Sequence, residues 1–305
     1  MIEASTPPPV RAGLTGLLIN ARSRRAAEAE AAVLAALKGQ GISPGHLARV
    51  HRPRSLIRAT EALLGLGVDR LIICGGDGTL GTVAPRAARR GVLLGVIPLG
   101  TANDFARTLG IPSQPGPAAE VIAAGNVRRV DLGRANDAYF LNVASVGMSV
   151  SALGRLSDQT KRRFGMLAYL FAGARVFAGH SHFRLRVTNG PDSIETSAHQ
   201  LVIGNGRFYG GGVLVAGRST LEDGLLQAYA LGTRGRWQLL RTVALLRLGI
   251  PVDRPGDHFL ETASVLVETI PRLDVNCDGE IRTRTPVQFS VEPGALRVLA
   301  PPAPG

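Results

Sequence analysis

Residues 71–80 read Leu-Ile-Ile-Cys-Gly-Gly-Asp-Gly-Thr-Leu. An apolar, β-branched run ends abruptly in three glycines wrapped around one carboxylate and one hydroxyl, the pattern of a strand running into a phosphate loop. Gly75, Gly76 and Gly78 can take positive φ and let backbone N–H groups approach an anion closely, and Thr79 adds a donor before Leu80. Residues 81–90 lack period-2 alternation and carry the alanines and arginines of a helix, whose N-terminus also favours phosphate. Asp77 stands in the middle of this anion site and repels phosphate unless a cation lies between them. The stretch therefore reads as a loop for Mg²⁺-nucleotide, with Asp77 serving the metal directly or through water. An ordinary strand-to-helix turn has the same composition, so the rest of the chain must decide.

Around this loop, strand patterns at residues 14–20, 48–51, 68–74 and 92–97 alternate with helical patterns at 24–37, 55–66 and 118–124. Such alternation implies a parallel sheet covered on both faces, with ligands bound beyond the C-terminal ends of its strands. The first strand ends in a polar turn over residues 20–24 that could contact phosphates. Another ends in Pro98-Leu99-Gly100-Thr101-Ala102-Asn103-Asp104, which repeats the logic of the first loop: Gly100 for close approach, Thr101 and Asn103 as donors, Asp104 as a carboxylate. The two loops are expected to wall one cleft, although Asn103-Asp104 also reads as a helix N-cap.

From residue 139 onward short strands predominate, at 139–144, 182–188, 197–203, 225–231, 264–269, 273–277, 287–291 and 296–299. Gly, Pro, Asn and Asp punctuate them, as in a β-rich second domain. The expected fold is thus α/β + β: an N-terminal α/β nucleotide-binding domain with a parallel sheet over residues 1–134, and a C-terminal β-sandwich domain over 135–295. The hinge is placed near 132–138, and the last strand, about 296–305, is free to return to the first domain. Residues 161–177 form a basic start to an almost wholly apolar helix, which can pack on the sheet or dip into a membrane surface.

Composition narrows the function. The net charge of +12 suggests attraction to anionic lipid, nucleic acid or nucleotide, but no dense basic tail or aromatic-basic platform favours nucleic acid. The lysines are Lys38 and Lys161, and neither follows a glycine, so a Walker A loop is excluded, as is the strand lysine of the protein kinases. Two cysteines, Cys74 and Cys277, are too few for a disulfide framework and are expected to be reduced. Each adjoins a proposed site loop, so a thiol reagent is expected to inhibit. No apolar run reaches the ~18 residues that span a bilayer, and residues 1–10 carry Glu3 and three prolines rather than a secretory signal, which points to the cytoplasm.

Other motifs carry less. Gly204-Asn205-Gly206 has Tyr209 where a dinucleotide fingerprint needs its third glycine, and His180-Ser181-His182 reads as a solvated turn unless further ligands join it. Near the C-terminus, Asn276-Cys277-Asp278-Gly279-Glu280 brings Asp278 to a tight turn with Glu280 just past it. A carboxylate there can accept the proton of a hydroxyl that attacks a γ-phosphate.

Gly-Gly-Asp-Gly-Thr-Leu, Pro-Leu-Gly-Thr-Ala-Asn-Asp-Phe-Ala, Val-Asp-Leu-Gly, Gly-Asn-Gly-Arg-Phe-Tyr-Gly-Gly-Gly, Leu-Glu-Asp-Gly-Leu-Leu and Asn-Cys-Asp-Gly-Glu follow one another along the chain. Their order resembles the diacylglycerol kinase catalytic-domain family, in particular its soluble bacterial lipid kinases, related to sphingosine and ceramide kinases and distantly to NAD kinase. The resemblance runs from about residue 14 to 301. It implies ATP on Gly75–Leu80, Gly100, Thr101 and Asn103, in a cleft between the two domains. Asp77, Asp104 and Asp131 match the carboxylates that organise Mg²⁺ through water, and Asp278 matches the catalytic base, with Glu280 beside it. Thr220, Asp223 and Leu225 match a structural metal site, the first and last through backbone carbonyls. Gly81-Thr82 stand where the family continues Asn-Glu, and Val50-His51 where it often has a nucleotide-contacting threonine. The resemblance further implies phosphorylation of a diacylglycerol-like lipid by peripheral contact with a membrane, and it leaves a homodimer open. Phosphatidylglycerol, a sphingoid base, a soluble NAD-kinase-like acceptor, or a nucleotide-binding regulator without turnover remain as alternatives.

Overall fold

A computed structural model describes residues 14–20, 26–147, 182–206, 208–209, 213–214, 220–232 and 258–303. The tail at 1–10, the turn residues 21–24, the helix expected at 161–177 and His180-Ser181 lie outside the described residues. The chain divides into two units, residues 1–130 with 295–305, and residues 131–294.

In the first unit, β1 (Thr15–Asn20), β2 (His46–Val50), β3 (Arg70–Gly75) and β4 (Leu93–Pro98) are parallel in the order β2-β1-β3-β4. Leu17 lies opposite Ile72, and Ile72 opposite Gly95. The end of β17 (Val287–Leu299) adds a further parallel strand, Val298 pairing with Leu94. Helices α1 (Ala26–Gly39), α2 (Pro53–Gly65), α3 (Asp77–Arg89), α4 (Asp104–Thr108) and α5 (Pro115–Ala124) complete the unit. α1 packs with α5, and α2 with α3. This cover buries Leu71, Ile72, Ile73 and Cys74 completely, which is why the run has no polar alternation. β2, at the sheet edge, alternates half-buried and exposed residues instead.

The second unit is built from antiparallel strands. β9 (Asp192–Gly204) is its longest internal member. Its first half pairs with β8 (Phe183–Asn189), and its last residues pair with β7 (Val143–Gly147) on one side and β12 (Leu226–Gly232) on the other. β14 (Ser264–Ile270) joins β8 to β17, β15 (Asp274–Cys277) joins β7 to β16 (Glu280–Arg284), β13 (His258–Thr262) pairs with β12, and the short β10 (Phe208–Tyr209) and β11 (Val213–Leu214) pair with each other. Phe140 and Phe289 meet edge to face, 6.3 Å between centroids, in a core that includes Leu201, Ile203, Val267 and Val287. Among the described residues, no helix is long and apolar enough to cross a membrane.

Three expected strands take a different course. Residues 139–144 do not form one strand: β6 (Ala138–Phe140) stops and β7 begins at Val143. The N–H groups of Leu141 and Asn142 are turned to the carboxylate of Asp278 instead of a ladder partner. Conversely, the strands expected at 287–291 and 296–299 are one, β17, which passes through Pro293 and a left-handed Gly294 (φ 57°) and carries the chain from the second unit into the first. β5 (Val127–Ala135) makes the opposite passage.

Both thiols are core residues. Cys74 is fully buried and Cys277 is 3% exposed. Burial pushes both thiols up, Cys277 to about 12, with the charge of Asp278 adding to the effect. Since the thiolate is the reactive species, the expectation that a thiol reagent inhibits is corrected: neither sulfur is reachable or ionised in the folded chain. Titration with an aromatic disulfide reagent at mildly alkaline pH is expected to modify neither cysteine in native protein and both after denaturation.

Candidate active site

The glycine-rich stretch is tighter than a loop over residues 75–80. β3 runs to Gly75 and α3 starts at Asp77, four residues before the expected helix, because Gly76 O already accepts the N–H groups of Thr79 (2.9 Å) and Leu80 (3.1 Å). The N–H groups of Asp77 and Gly78 precede the first intrahelical bonds and so face the C-terminal end of the sheet. Leu99 N donates to Gly75 O at 3.0 Å and fixes the second loop beside the first. That loop closes on Asn103, which sits in the left-handed region (φ 51°). Its Oδ1 accepts Gly100 N, and its Nδ2 donates to Gly100 O, each at 2.9 Å.

Asp77 then joins the two loops. Its Oδ2 and Oδ1 accept the N–H groups of Asp104 (3.1 Å) and Phe105 (3.0 Å), so a carboxylate from α3 caps α4. Asn103 occupies the N-cap position of α4 without a side-chain capping bond, because its amide is spent on Gly100. Asp104 is buried beside it, and Thr101 is exposed. Thr79 is also buried: its Oγ1 accepts Asn20 Nδ2 at 2.7 Å, and its hydroxyl proton is left to donate. Leu80 is a core residue, so only its backbone can serve a ligand.

The glycines divide into two kinds. A Cβ on Gly75 would lie 2.7 Å from Thr79 Oγ1, one on Gly76 would lie 2.9 Å from Gly100 Cα, and one on Gly100 would lie 2.6 Å from Gly76 Cα. Gly76 and Gly100 therefore let the two loops touch backbone to backbone. Among the described residues nothing lies within 4 Å of a Cβ on Gly78, which is exposed on the first turn of α3 and leaves a ledge over that helix N-terminus.

The remaining predicted residues lie in the second unit. Asp131 is 2% exposed, and its Oδ1 and Oδ2 accept the N–H groups of Gly294 and Gly224, both at 2.7 Å. Burial raises its carboxyl above the usual carboxylate range against the pull of these two donors, and the charges of Asp223 and Glu222 push the same way as burial. Asp278 adopts a left-handed conformation (φ 49°) at its tight turn, and Gly279 N donates to Asn276 Oδ1 at 2.8 Å. Three backbone donors hold the Asp278 carboxylate: Leu141 N on Oδ2 at 2.6 Å, and Asn142 N and Val143 N on Oδ1 at 3.0 and 3.1 Å. Glu280 opens β16 and turns to Arg282, 2.6 Å away, rather than to the Asp278 carboxylate. Thr220, Asp223 and Leu225 do come together: Asp223 accepts the N–H groups of Thr220 (2.9 Å) and Leu225 (3.0 Å).

Among the described residues, no three His, Cys, Asp or Glu side chains are grouped to hold a metal directly. Asp77 and Asp131 already accept a backbone N–H on each carboxylate oxygen. Their chemistry fits a hard cation held through water better than direct ligation. Sequence reasoning missed the backbone of residues 141–143 as the seat of Asp278, and it missed Asn20 as the partner of Thr79. The only signal for the latter was its place at the end of the first strand.

The model of the diacylglycerol kinase catalytic domain matches residues 15–135, and that of the YegS C-terminal NAD kinase beta sandwich-like domain matches residues 142–300. The chain belongs to the diacylglycerol kinase family. A Pseudomonas aeruginosa member, named "Probable lipid kinase YegS-like", is 38% identical over 254 residues, 80% of each chain. The Mycobacterium tuberculosis member named "Diacylglycerol kinase" is 31% identical over 304 residues, 95% of this chain and 96% of its own. A solved structure of a diacylglycerol kinase from Bacillus anthracis superposes with a TM-score of 0.79 over 96% of this chain and 99% of its own, at 23% identity, which is likeness of fold. The family's α/β domain with parallel strands and its β-sandwich-like domain are both present here.

The two kinds of glycine are separable in this family member. Gly100→Ala is expected to destabilise the fold by about 1–3 kcal/mol through overpacking. Gly78→Ala is expected to stabilise it by about 0.5–1 kcal/mol, as alanine does in a helix, while weakening nucleotide binding. Denaturant melts together with nucleotide titration distinguish the two variants.

Proposed function

We propose that this lipid kinase transfers the γ-phosphate of ATP to a hydroxyl of a diacylglycerol-like lipid. The reading is carried by the similarity to the M. tuberculosis protein named "Diacylglycerol kinase" along 95% of the chain. Two features of the site support it. The exposed ledge at Gly78, over the first turn of α3, suits the phosphates of a nucleotide. Asp278, held by three N–H groups, offers a carboxylate of fixed position and direction.

Phosphoryl transfer of this class has a loose transition state and asks the protein mainly for positioning and charge neutralisation. The acceptor hydroxyl then needs a fixed acceptor for its proton more than a strong base, and the Asp278 carboxylate, oriented by Leu141 N on Oδ2, suits that role. Asp77, Asp104 and Asp131 would hold Mg²⁺ through water, and the ion would neutralise the nucleotide phosphates. Asp223, with the carbonyls of Thr220 and Leu225, would hold a second, structural ion. Glu280, which pairs with Arg282, stands beside Asp278 in this scheme. The protein works in the cytoplasm, meets its lipid by peripheral contact with the membrane surface, and takes no nucleic acid partner; a homodimer is compatible with this scheme.

Labelled ATP offered with mixed micelles of diacylglycerol, phosphatidylglycerol or a sphingoid base, and with water-soluble acceptors in parallel, identifies the acceptor. Diacylglycerol is expected to be labelled most. Asp278→Asn is expected to lower kcat by roughly 10²–10⁴-fold with a cooperative melt retained, and unchanged turnover in that variant removes the assignment. Tight ATP binding with no transfer to any acceptor would instead identify a regulator.

A further inference from the structure

Asn205, in the Gly-Asn-Gly stretch that the fold alone does not call for, is the least accessible polar side chain near the site, at 0% exposure. It lies just past the end of β9, and its own N–H and that of Gly206 both donate to Asn142 O, at 2.8 and 3.0 Å. Its side-chain Nδ2 donates twice, to Asp131 O at 3.1 Å and to Leu141 O at 2.8 Å. Leu141 is the residue whose N–H holds Asp278 Oδ2. One amide group therefore links the backbone of Asp131 to the peptide that seats Asp278. Its own acceptor, Oδ1, is buried and has no partner among the described residues. A buried amide that leaves its oxygen unpaired is retained for its donors, because an unpaired buried acceptor is unfavourable in itself. An aspartate of the same shape would place an oxygen against the two carbonyls and lose both bonds.

We infer that Asn205 is a positioning residue, which fixes the segment 141–143 against Asp131 and so sets the place of the Asp278 carboxylate. Asn142 is held at both ends of its backbone, its carbonyl O by the N–H groups of Asn205 and Gly206 and its N–H by Asp278 Oδ1. The segment from residue 141 to 143 is held from one side by Asn205 and from the other by Asp278. The two grips act on the same peptides, so loosening the first loosens the second.

The kinetic part of this inference rests on the lipid kinase reading, and the structural part does not; the experiment separates them. Amide hydrogen exchange is measured on full-length wild-type, Asn205→Ala and Asn205→Asp proteins, with kinetics at a temperature where each is folded. In wild type, the Asn205 side-chain NH₂ protons are expected to exchange slowly. In the variants, the amides of Leu141, Asn142 and Val143 are expected to exchange roughly 10- to 100-fold faster, while those of β1 and β3 keep wild-type rates. kcat is expected to fall by roughly 10- to 100-fold with KM for ATP within about 2-fold. Unchanged exchange at 141–143 in a folded variant overturns the inference, and fast exchange of the wild-type side-chain protons overturns it even if no variant folds. A lowered melting point with kcat and local exchange unchanged reduces Asn205 to a structural residue and also overturns it. Absence of kinase turnover in wild type would refute the functional reading while the exchange result still judges the positioning.

Discussion

Carboxylates that accept backbone N–H groups hold the irregular parts of this protein in place. Asp77 caps α4, Asp131 gathers Gly224 and Gly294, Asp223 closes its own loop on Thr220 and Leu225, and Asp278 takes three successive residues of another strand connection. Peptide groups that leave a helix or sheet must find partners elsewhere, and an ionised acceptor makes the stronger bond, worth about 1.5–3 kcal/mol. Each of these acidic side chains satisfies two or three peptides at once. They are consequently organisers of backbone first, and whatever they do for a ligand they do from a position fixed by those bonds.

The same economy appears in the glycines. Gly76 and Gly100 exist so that two loops can meet without side chains, and that contact places the first turn of α3 beside the turn closed by Asn103. Gly78 is the exception, with no described residue near where its side chain would be. In the second unit the Asn205 side-chain amide does by hydrogen bonding what the glycine pair does by close approach, bonding the carbonyls of both Asp131 and Leu141.

The parallel half of the fold was legible because its signals are local. Strands buried on both faces show as continuous apolar runs, and β3 and β4 are buried over most of their length. The interruption between β6 and β7 was not legible, because its cause is a carboxylate far away in the chain. The continuity of β17 was missed for a related reason: Pro293-Gly294 carry turn chemistry, but Gly294 N is held by Asp131 within a strand that continues. Adjacency in sequence does not reveal cysteine reactivity, because burial, which only packing creates, decides it.

What the sequence by itself determined is the order of the motifs, hence the family, the strand-to-helix units, and the identities of the carboxylates and glycines, since residue types and short-range spacing dictate these. Tertiary structure alone decided what each of those residues holds. Whether a glycine faces a ligand or another backbone, and which peptides a carboxylate grips, depends on segments brought together from distant parts of the chain. Those contacts follow from packing and hydrogen-bond satisfaction, which no local pattern records.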